Sequence, residues 1–226
     1  MSRSRSVIAI DGPAGAGKST VARTLAQQLG YILVDTGALY RGVALVARER
    51  GISWDDAKAL GSMAQDLSLR FTQQPGTAPR LWIDGADRSD ELRSPEISMG
   101  ASQVSKHQPV RTALLGLQRG LGVDGGVVLE GRDIGTVVFP DAETKIFLTA
   151  SAHTRARRRV AELKARGVDA ELATTLAEIE ARDAQDASRA IAPLKPAADA
   201  IIVDTDSMSI QQVVDQLVVM ARERGA

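Results

Sequence analysis

Apolar positions along the chain follow two alternating spacings. Short, mostly apolar runs mark buried strands at Val7–Ile10 (ending in Asp11 and Gly12), Ile32–Val34, Val127–Leu129, Lys145–Leu148 and Ile201–Val203. Between them apolar residues recur every three or four positions. Val21, Leu25 and Leu29 predict a helix over 19–29 with Gly30 at its C-cap position, and a second helix is expected from Leu39 to Arg50, ending at Gly51. A last helix begins at Ile210, with Val213, Val214, Leu217 and Val218 on one face and a capping box from Ser209 and Gln212. Strands separated by helices require right-handed crossovers. The expected fold class is therefore α/β, a parallel sheet covered by helices on both faces.

Two stretches break this rhythm. From Leu67 to Arg93 the apolar residues alternate (Leu67, Leu69, Phe71, then Leu81 and Ile83) around Pro75-Gly76, which predicts a small antiparallel sheet. From Ala152 to Ser188 the chain is polar, Arg-rich and helical, split at Gly167. Both read as insertions. The expected division is a core over 1–66, 95–151 and 189–226, an antiparallel insert over 67–94 and a helical lid over 152–188.

Composition narrows the function. The 226 residues carry 28 Lys plus Arg against 28 Asp plus Glu, a zero net charge that argues against a dedicated duplex-DNA binder. Cys is absent, which removes disulfides, thiol nucleophiles and Cys-ligated zinc, and fits a reduced cytoplasmic setting. The N-terminus is basic, but its apolar run of Val7–Ile10 is shorter than the roughly 7 to 15 residues of a signal-peptide core. No run approaches the roughly 20 residues of a membrane span. A soluble, cytoplasmic protein without a membrane partner is expected.

Gly12-Pro13-Ala14-Gly15-Ala16-Gly17-Lys18-Ser19 matches G-x-x-x-x-G-K-[ST], directly after a predicted strand and opening a predicted helix. The glycines let the backbone curl so that successive N–H groups face phosphate oxygens. The helix N-terminus adds its positive end, Lys18 its ammonium and Ser19 a hydroxyl for Mg²⁺. The chain is thereby read as a P-loop nucleotide binder. It contains no Asn, so it cannot carry the Asn-Lys-x-Asp motif with which GTPases of this superfamily read guanine. It also lacks the Asp-Glu strand end and Ser-Gly-Gly signature of motor and transporter ATPases. What it has instead is a second set of anion-binding candidates biased toward Arg, which suits bidentate phosphate contacts. An acceptor that is itself a phosphate needs no general base. Its difficulty is bringing two polyanions together, which calls for positive charge around both.

Those candidates stand in a recognisable order: IDGPAGAGKST (10–20), DTGALYR (35–41), SQVSKHQPVR (102–111), EGRDIGTVVFPDAETKIFLTAS (130–151), RARRR (155–159) and RDAQDASRAIAPL (182–194). Along essentially its whole length the sequence resembles the bacterial cytidylate kinases, nucleoside monophosphate kinases of the P-loop class. The resemblance implies a P-loop core with an acceptor-binding insert and a mobile lid, and transfer of the ATP γ-phosphoryl to CMP or dCMP with Mg²⁺. It implies that residues 12–20, Lys18 and Thr20 included, hold ATP, that Ser19 holds Mg²⁺, and that Glu130 orients a metal water. Arg41 and Arg132 match arginines that grip the CMP phosphate. Ser102, Arg111 and Asp133 match residues that read cytosine. Asp186 and Arg189 match positions near the acceptor ribose and phosphate, and Asp35, Thr36 and Tyr40 belong to the implied CMP site, Asp35 and Tyr40 as supports rather than contacts.

Asp133 fits its implied role chemically, because a carboxylate accepts from the exocyclic amine of cytosine but faces an oxygen in uracil. Arg155, Arg158 and Arg159 share a helix face at i, i+3 and i+4, and Arg182, Asp186 and Arg189 do so if their helix persists. With Lys18 and Arg132 these lid arginines are the expected catalytic charges. Arg157 falls off that face and is read as solvated, and His107 and His153 are expected to be exposed and without a chemical role. Thr36 stands where many relatives have Ser, and Asp87-Arg-Ser89 with Leu92-Arg93 replace a stretch that is usually Val and Ile. A P-loop kinase for another acceptor (UMP, AMP or a small metabolite) is the nearest alternative. A nucleic-acid-associated protein using the 155–159 cluster is another, disfavoured by the neutral charge and by only 3% aromatic residues for stacking. The expected partners are small nucleotides alone, bound by a monomer.

Overall fold

A computed structural model describes residues 5–73, 77–165 and 167–226; the Pro75-Gly76 turn lies outside them. The elements run β1 (Val7–Asp11), α1 (Lys18–Leu29), β2 (Ile32–Asp35), α2 (Thr36–Glu49), α3 (Ala57–Asp66), β3 (Leu69–Thr72), β4 (Arg80–Ile83) and β5 (Ala86–Asp87). After a 3₁₀ turn at Glu91–Arg93 come α4 (Pro95–Val104), α5 (Gln108–Gly120) and β6 (Val127–Glu130). A single π-helical turn (Ile134–Val138) leads to β7 (Thr144–Thr149), α6 (Ala152–Ala165), α7 (Leu172–Ala187), β8 (Ile201–Asp204) and α8 (Ile210–Glu223).

Five strands form one parallel sheet in the order β2-β6-β1-β7-β8. β1 lies at its centre, with Ile8 level with Val128 of β6 and Thr144 of β7. Its period-2 alternation divides the core. Ile8 and Ile10 point to the side of α1 and α8, among Leu25, Ile146, Leu148 and Leu217. Val7 and Ala9 point to the other side, among Val34, Leu129, Ile134 and Phe139. Because both faces are covered, the strands are apolar along most of their length, with acids at the carboxyl ends of β1, β2, β6 and β8.

A third core joins α2, α3, α4 and α5 with the antiparallel sheet β3-β4-β5. Among the described residues the insert has no apolar cluster of its own: Leu69, Leu81 and Ile83 pack into this shared core. Gly42 of α2 makes the approach possible, since a Cβ there would stand 3.0 Å from Ile83 Cδ1 and 3.2 Å from Leu81 Cδ2. The polar residues at 87–89 are used locally. The Ser89 hydroxyl accepts from Leu81 N–H at 2.8 Å and donates to Asp87 at 2.7 Å, and Arg88 reaches Glu49 and Glu91.

Several expectations shift. α2 starts at Thr36, three residues before the predicted Leu39, because the Asp35 carboxylate accepts from Ala38 N–H at 3.2 Å and caps the helix. Helix α7 ends at Ala187, so Arg189 lies beyond it and not on the same helical face as Arg182. His107 is half-buried rather than exposed, its Nε2 within 2.8 Å of the Trp54 carbonyl, whereas His153 is exposed. Among the described residues no helix is long and apolar enough to cross a membrane.

Candidate active site at the C-terminal edge of the sheet

In an open parallel sheet, ligands meet the carboxyl ends of the strands. Here β1, β2, β6 and β8 end in Asp11, Asp35, Glu130 and Asp204, and the loops after them carry the candidate residues. Gly12, Gly15 and Gly17 all have positive φ (146°, 77° and 89°), the conformations a phosphate-cradling turn needs and side chains resist. Gly12 is required twice over, because a Cβ on it would overlap the Leu148 carbonyl oxygen. Pro13 and Ala16 are buried in the turn, Ala14 is half-buried and Thr20 is exposed at the start of α1.

Lys18, the first residue of α1, is 7% exposed and donates to the Pro13 carbonyl at 2.8 Å. Burial, reinforced by the Arg132 guanidinium, lowers its pKa to about 7. Ser19 Oγ donates to Glu130 Oε2 at 2.8 Å. Burial, followed by the nearby Asp35 charge, pushes Glu130 up to about 7. Glu130 is therefore a buried carboxylate beside the loop, not a surface one. Thr36 donates its hydroxyl to the Glu130 carbonyl at 2.8 Å, which ties the start of α2 to the end of β6.

Asp11, legible in the sequence only as the end of β1, organises the loop after β6. Its two carboxylate oxygens accept from the N–H groups of Ile134 and Gly135, each at 2.8 Å. These are the first donors of the π-helical turn, which the residue before a helix normally caps. With Asp11 capping from another strand, the Asp133 side chain is free to pair with Arg111, and both groups are buried. Burial pushes both carboxyls up: Asp11 to about 6, and Asp133 against the opposing pull of Arg111. Arg111 also lies 5.7 Å above the Tyr40 ring, and a cavity of about 90 Å³ opens beside them, walled by Gln118 and Val137.

On the phosphate side, Asp186 is 1% exposed and holds two arginines: Arg132 Nε at 3.1 Å and Arg189. Arg41 is held by Asp35 at 2.6 Å. Arg182, in the last turns of α7, has its pKa lowered to about 10, by burial first and then by the Arg132 charge. Its buried Nε has no hydrogen-bond partner among the described residues. The structure thus gathers Lys18, Arg41, Arg132, Arg182 and Arg189, whose charges act on one another.

The other lid arginines are differently engaged. Arg155 is 4% exposed and donates to the carbonyls of Ala150 (2.9 Å) and Ala14 (3.1 Å) and to Asp183. It lies against the phosphate loop, but its donors are committed to protein. Arg158 donates to Thr205, just after β8, through Nη1 at 3.0 Å and Nη2 at 2.6 Å. Arg159 turns to Glu162 at 2.9 Å, and Arg157 is exposed. Shared helical spacing puts these residues on one side of α6 without aiming them at a single point.

With this geometry in view, comparison with known proteins is decisive. The cytidylate kinase family model matches residues 8–223. The chain belongs to the cytidylate kinase family. A cytidylate kinase of Syntrophotalea carbinolica is 52% identical over 218 residues, covering 96% of this chain and 92% of the relative. One of Geobacter sp. (strain M21) is 50% identical over 218 residues, covering 96% and 93%. Another, of Pseudomonas syringae pv. tomato, is 50% identical over 212 residues and covers 93% of each. Among solved structures, an uncharacterized protein from Eubacterium ventriosum shares the fold with a TM-score of 0.52 at 14% identity, covering 97% of this chain and 99% of that one.

Sequence reasoning missed Asp11, Gln118 and Thr205 as parts of this kinase's site. Asp11 had a signal, an acid at the carboxyl end of the central strand. Gln118 and Thr205 had none, because each gains meaning only from partners far along the chain.

Proposed function

We propose that this cytidylate kinase transfers the γ-phosphoryl group of ATP to CMP or dCMP, giving ADP and CDP or dCDP, through the residues gathered at the sheet edge. The observation that carries the reading is the cluster of Lys18, Arg132, Arg182 and Arg189, with Arg182 half-buried, its Nε buried without a hydrogen-bond partner among the described residues, and its pKa depressed. Asp186 offsets part of this charge, at Arg132 and Arg189; the remainder, at Lys18 and Arg182, is unfavourable unless a further anion is bound beside it. Two phosphorylated substrates supply that anion.

In this reading residues 12–20 hold the ATP phosphates, Lys18 bridging to the γ-phosphoryl. Arg41, Arg132 and Arg189 hold the acceptor phosphate, their guanidiniums pre-oriented by Asp35 and Asp186. Ser102, Arg111 and Asp133 read the base, with Tyr40 and Thr36 as supports. An acceptor phosphate is already ionised, so no side chain needs to remove a proton. Catalysis then rests on alignment of two anions and on charge that follows the moving phosphoryl. Arg182, arriving with α7, is suited to the second task, and Arg155 ties that helix to the phosphate loop. Division into core, insert (67–94) and lid (152–188) follows the same reading.

Magnesium fits the donors present. Ser19 Oγ and Glu130 are hard oxygen ligands beside the loop, 2.8 Å apart. Among the described residues no cluster of three or more His, Cys, Asp or Glu could hold a metal. That suits Mg²⁺, which is usually bound by one or two protein groups together with substrate phosphates. Ser19 would hold it directly and Glu130 through water, and it would neutralise phosphate charge. We place the protein in the cytoplasm, in pyrimidine nucleotide metabolism, as a monomer acting on free nucleotides.

Arg182→Ala tests the charge assignment. Removing a transition-state contact costs on the order of 100-fold in kcat, while KM for either nucleotide should change far less. A variant with wild-type kcat would contradict the role given to Arg182.

A further inference from the structure

One hydrogen bond crosses from α7 to the acceptor side and has no part in the reading above. Gln185, half-buried in the last turn of α7, donates from Nε2 to Ser102 Oγ on α4 at 2.8 Å. Ser102 is itself 9% exposed. From there the bonds continue. The Ser102 carbonyl accepts from Ser105 Oγ at 2.9 Å, and the Ser105 carbonyl accepts from Arg111 Nη1 at 3.2 Å. Arg111 in turn pairs with Asp133. A line of hydrogen bonds therefore runs from the helix that carries Arg182 and Asp186 to the pair assigned to the base.

A hydroxyl has a single hydrogen and rotates to suit its neighbours. With its oxygen accepting from an amide N–H, the Ser102 hydrogen points away from α7 and is available to an acceptor atom. We propose that Gln185 is a positioning residue for acceptor choice: it fixes the Ser102 hydroxyl as a donor and couples the seating of α7 to a base that accepts from it. The proposal rests on the assignment of Ser102 to the base site. Cytosine has an unprotonated ring nitrogen beside its carbonyl, whereas uracil carries N–H there. A base that offers a donor leaves Ser102 unsatisfied or turns it, and the tie to α7 weakens as it turns.

The test compares Gln185→Ala, Gln185→Glu, Ser102→Ala and the Gln185→Ala/Ser102→Ala double variant, each assayed with CMP and with UMP. Loss of one hydrogen bond should lower kcat/KM for CMP by roughly 2- to 12-fold in Gln185→Ala. UMP should lose less, and KM for ATP should hold. Gln185→Glu keeps the side-chain size but can only accept, which turns the Ser102 hydrogen toward α7. Its CMP:UMP ratio should narrow at least as much as that of the alanine variant. In the Ser102→Ala background, Gln185→Ala should narrow the ratio no further. Equal losses for CMP and UMP, a Glu variant with the wild-type ratio, or additive effects in the double variant would overturn the proposal and leave the base site standing. An unchanged ratio in Ser102→Ala alone would overturn the base-site assignment, and the proposal with it.

Discussion

At the scale of single residues, the site is built from groups held away from their ordinary ionisation, and this has a measurable consequence at Lys18. Burial and Arg132 lower its pKa to about 7, so at pH 8 much of it is neutral. A bound polyphosphate favours the ammonium, which raises that pKa again. ATP·Mg²⁺ binding should therefore draw a proton from solution at pH 8 and less at pH 6, where Lys18 is already charged. Calorimetry in two buffers of different ionisation enthalpy measures this directly, and binding without proton uptake at pH 8 would contradict the assignment. Asp133 supports a second expectation. Asp133→Asn replaces an obligate acceptor by an amide that can also donate to the uracil oxygen. The CMP:UMP ratio of kcat/KM should fall by roughly 10- to 100-fold, the value of one buried group no longer left unpaired with the wrong base. Which residue types the site uses was legible in the sequence, because phosphate chemistry selects Arg, Lys and Gly. Where each arginine points was not. Arg155, Arg158 and Arg159 share a helical spacing, yet Asp183, Thr205 and Glu162 take them in three directions.

At the scale of elements, the strands and the helices that flank them were legible because each is a clean apolar run or stripe. The boundaries moved where a single side chain decides them, as Asp35 does by capping α2. Helices α3, α4 and α5 were not read from the pattern. Their apolar faces are completed by residues from elsewhere in the chain. Their start signals were present, in the Asp56 cap and in Ser94 followed by Pro95. The shared core explains why the insert depends on its neighbours. Leu81 is 1% exposed between the small sheet and α2. Leu81→Ala should destabilise the protein by about 2 to 5 kcal/mol, read as a shift in the urea midpoint. KM for CMP should rise more than KM for ATP, because this core carries Arg41, Ser102 and Arg111. Equal changes in both constants would show that the core does not specifically support the acceptor side.

At the scale of the whole molecule, four stretches of chain far apart in sequence meet at one sheet edge: the loop after β1, the start of α2, the loop after β6 and the end of α7. Asp11 joins the first to the third, Arg155 the first to the fourth, and Asp186 the fourth to the third. In the proposed function phosphoryl transfer between two anions uses that convergence, and the Arg111–Asp133 pair beside it is the group proposed to limit which acceptor is used. The most direct measurement is ADP release from ATP·Mg²⁺ with CMP, dCMP, UMP, AMP and GMP offered one at a time at equal concentration. Fast turnover with CMP and dCMP, and slow turnover with the rest, is the expected result. Comparable turnover with UMP or AMP would contradict the assignment of Ser102, Arg111 and Asp133 as the groups that choose the acceptor.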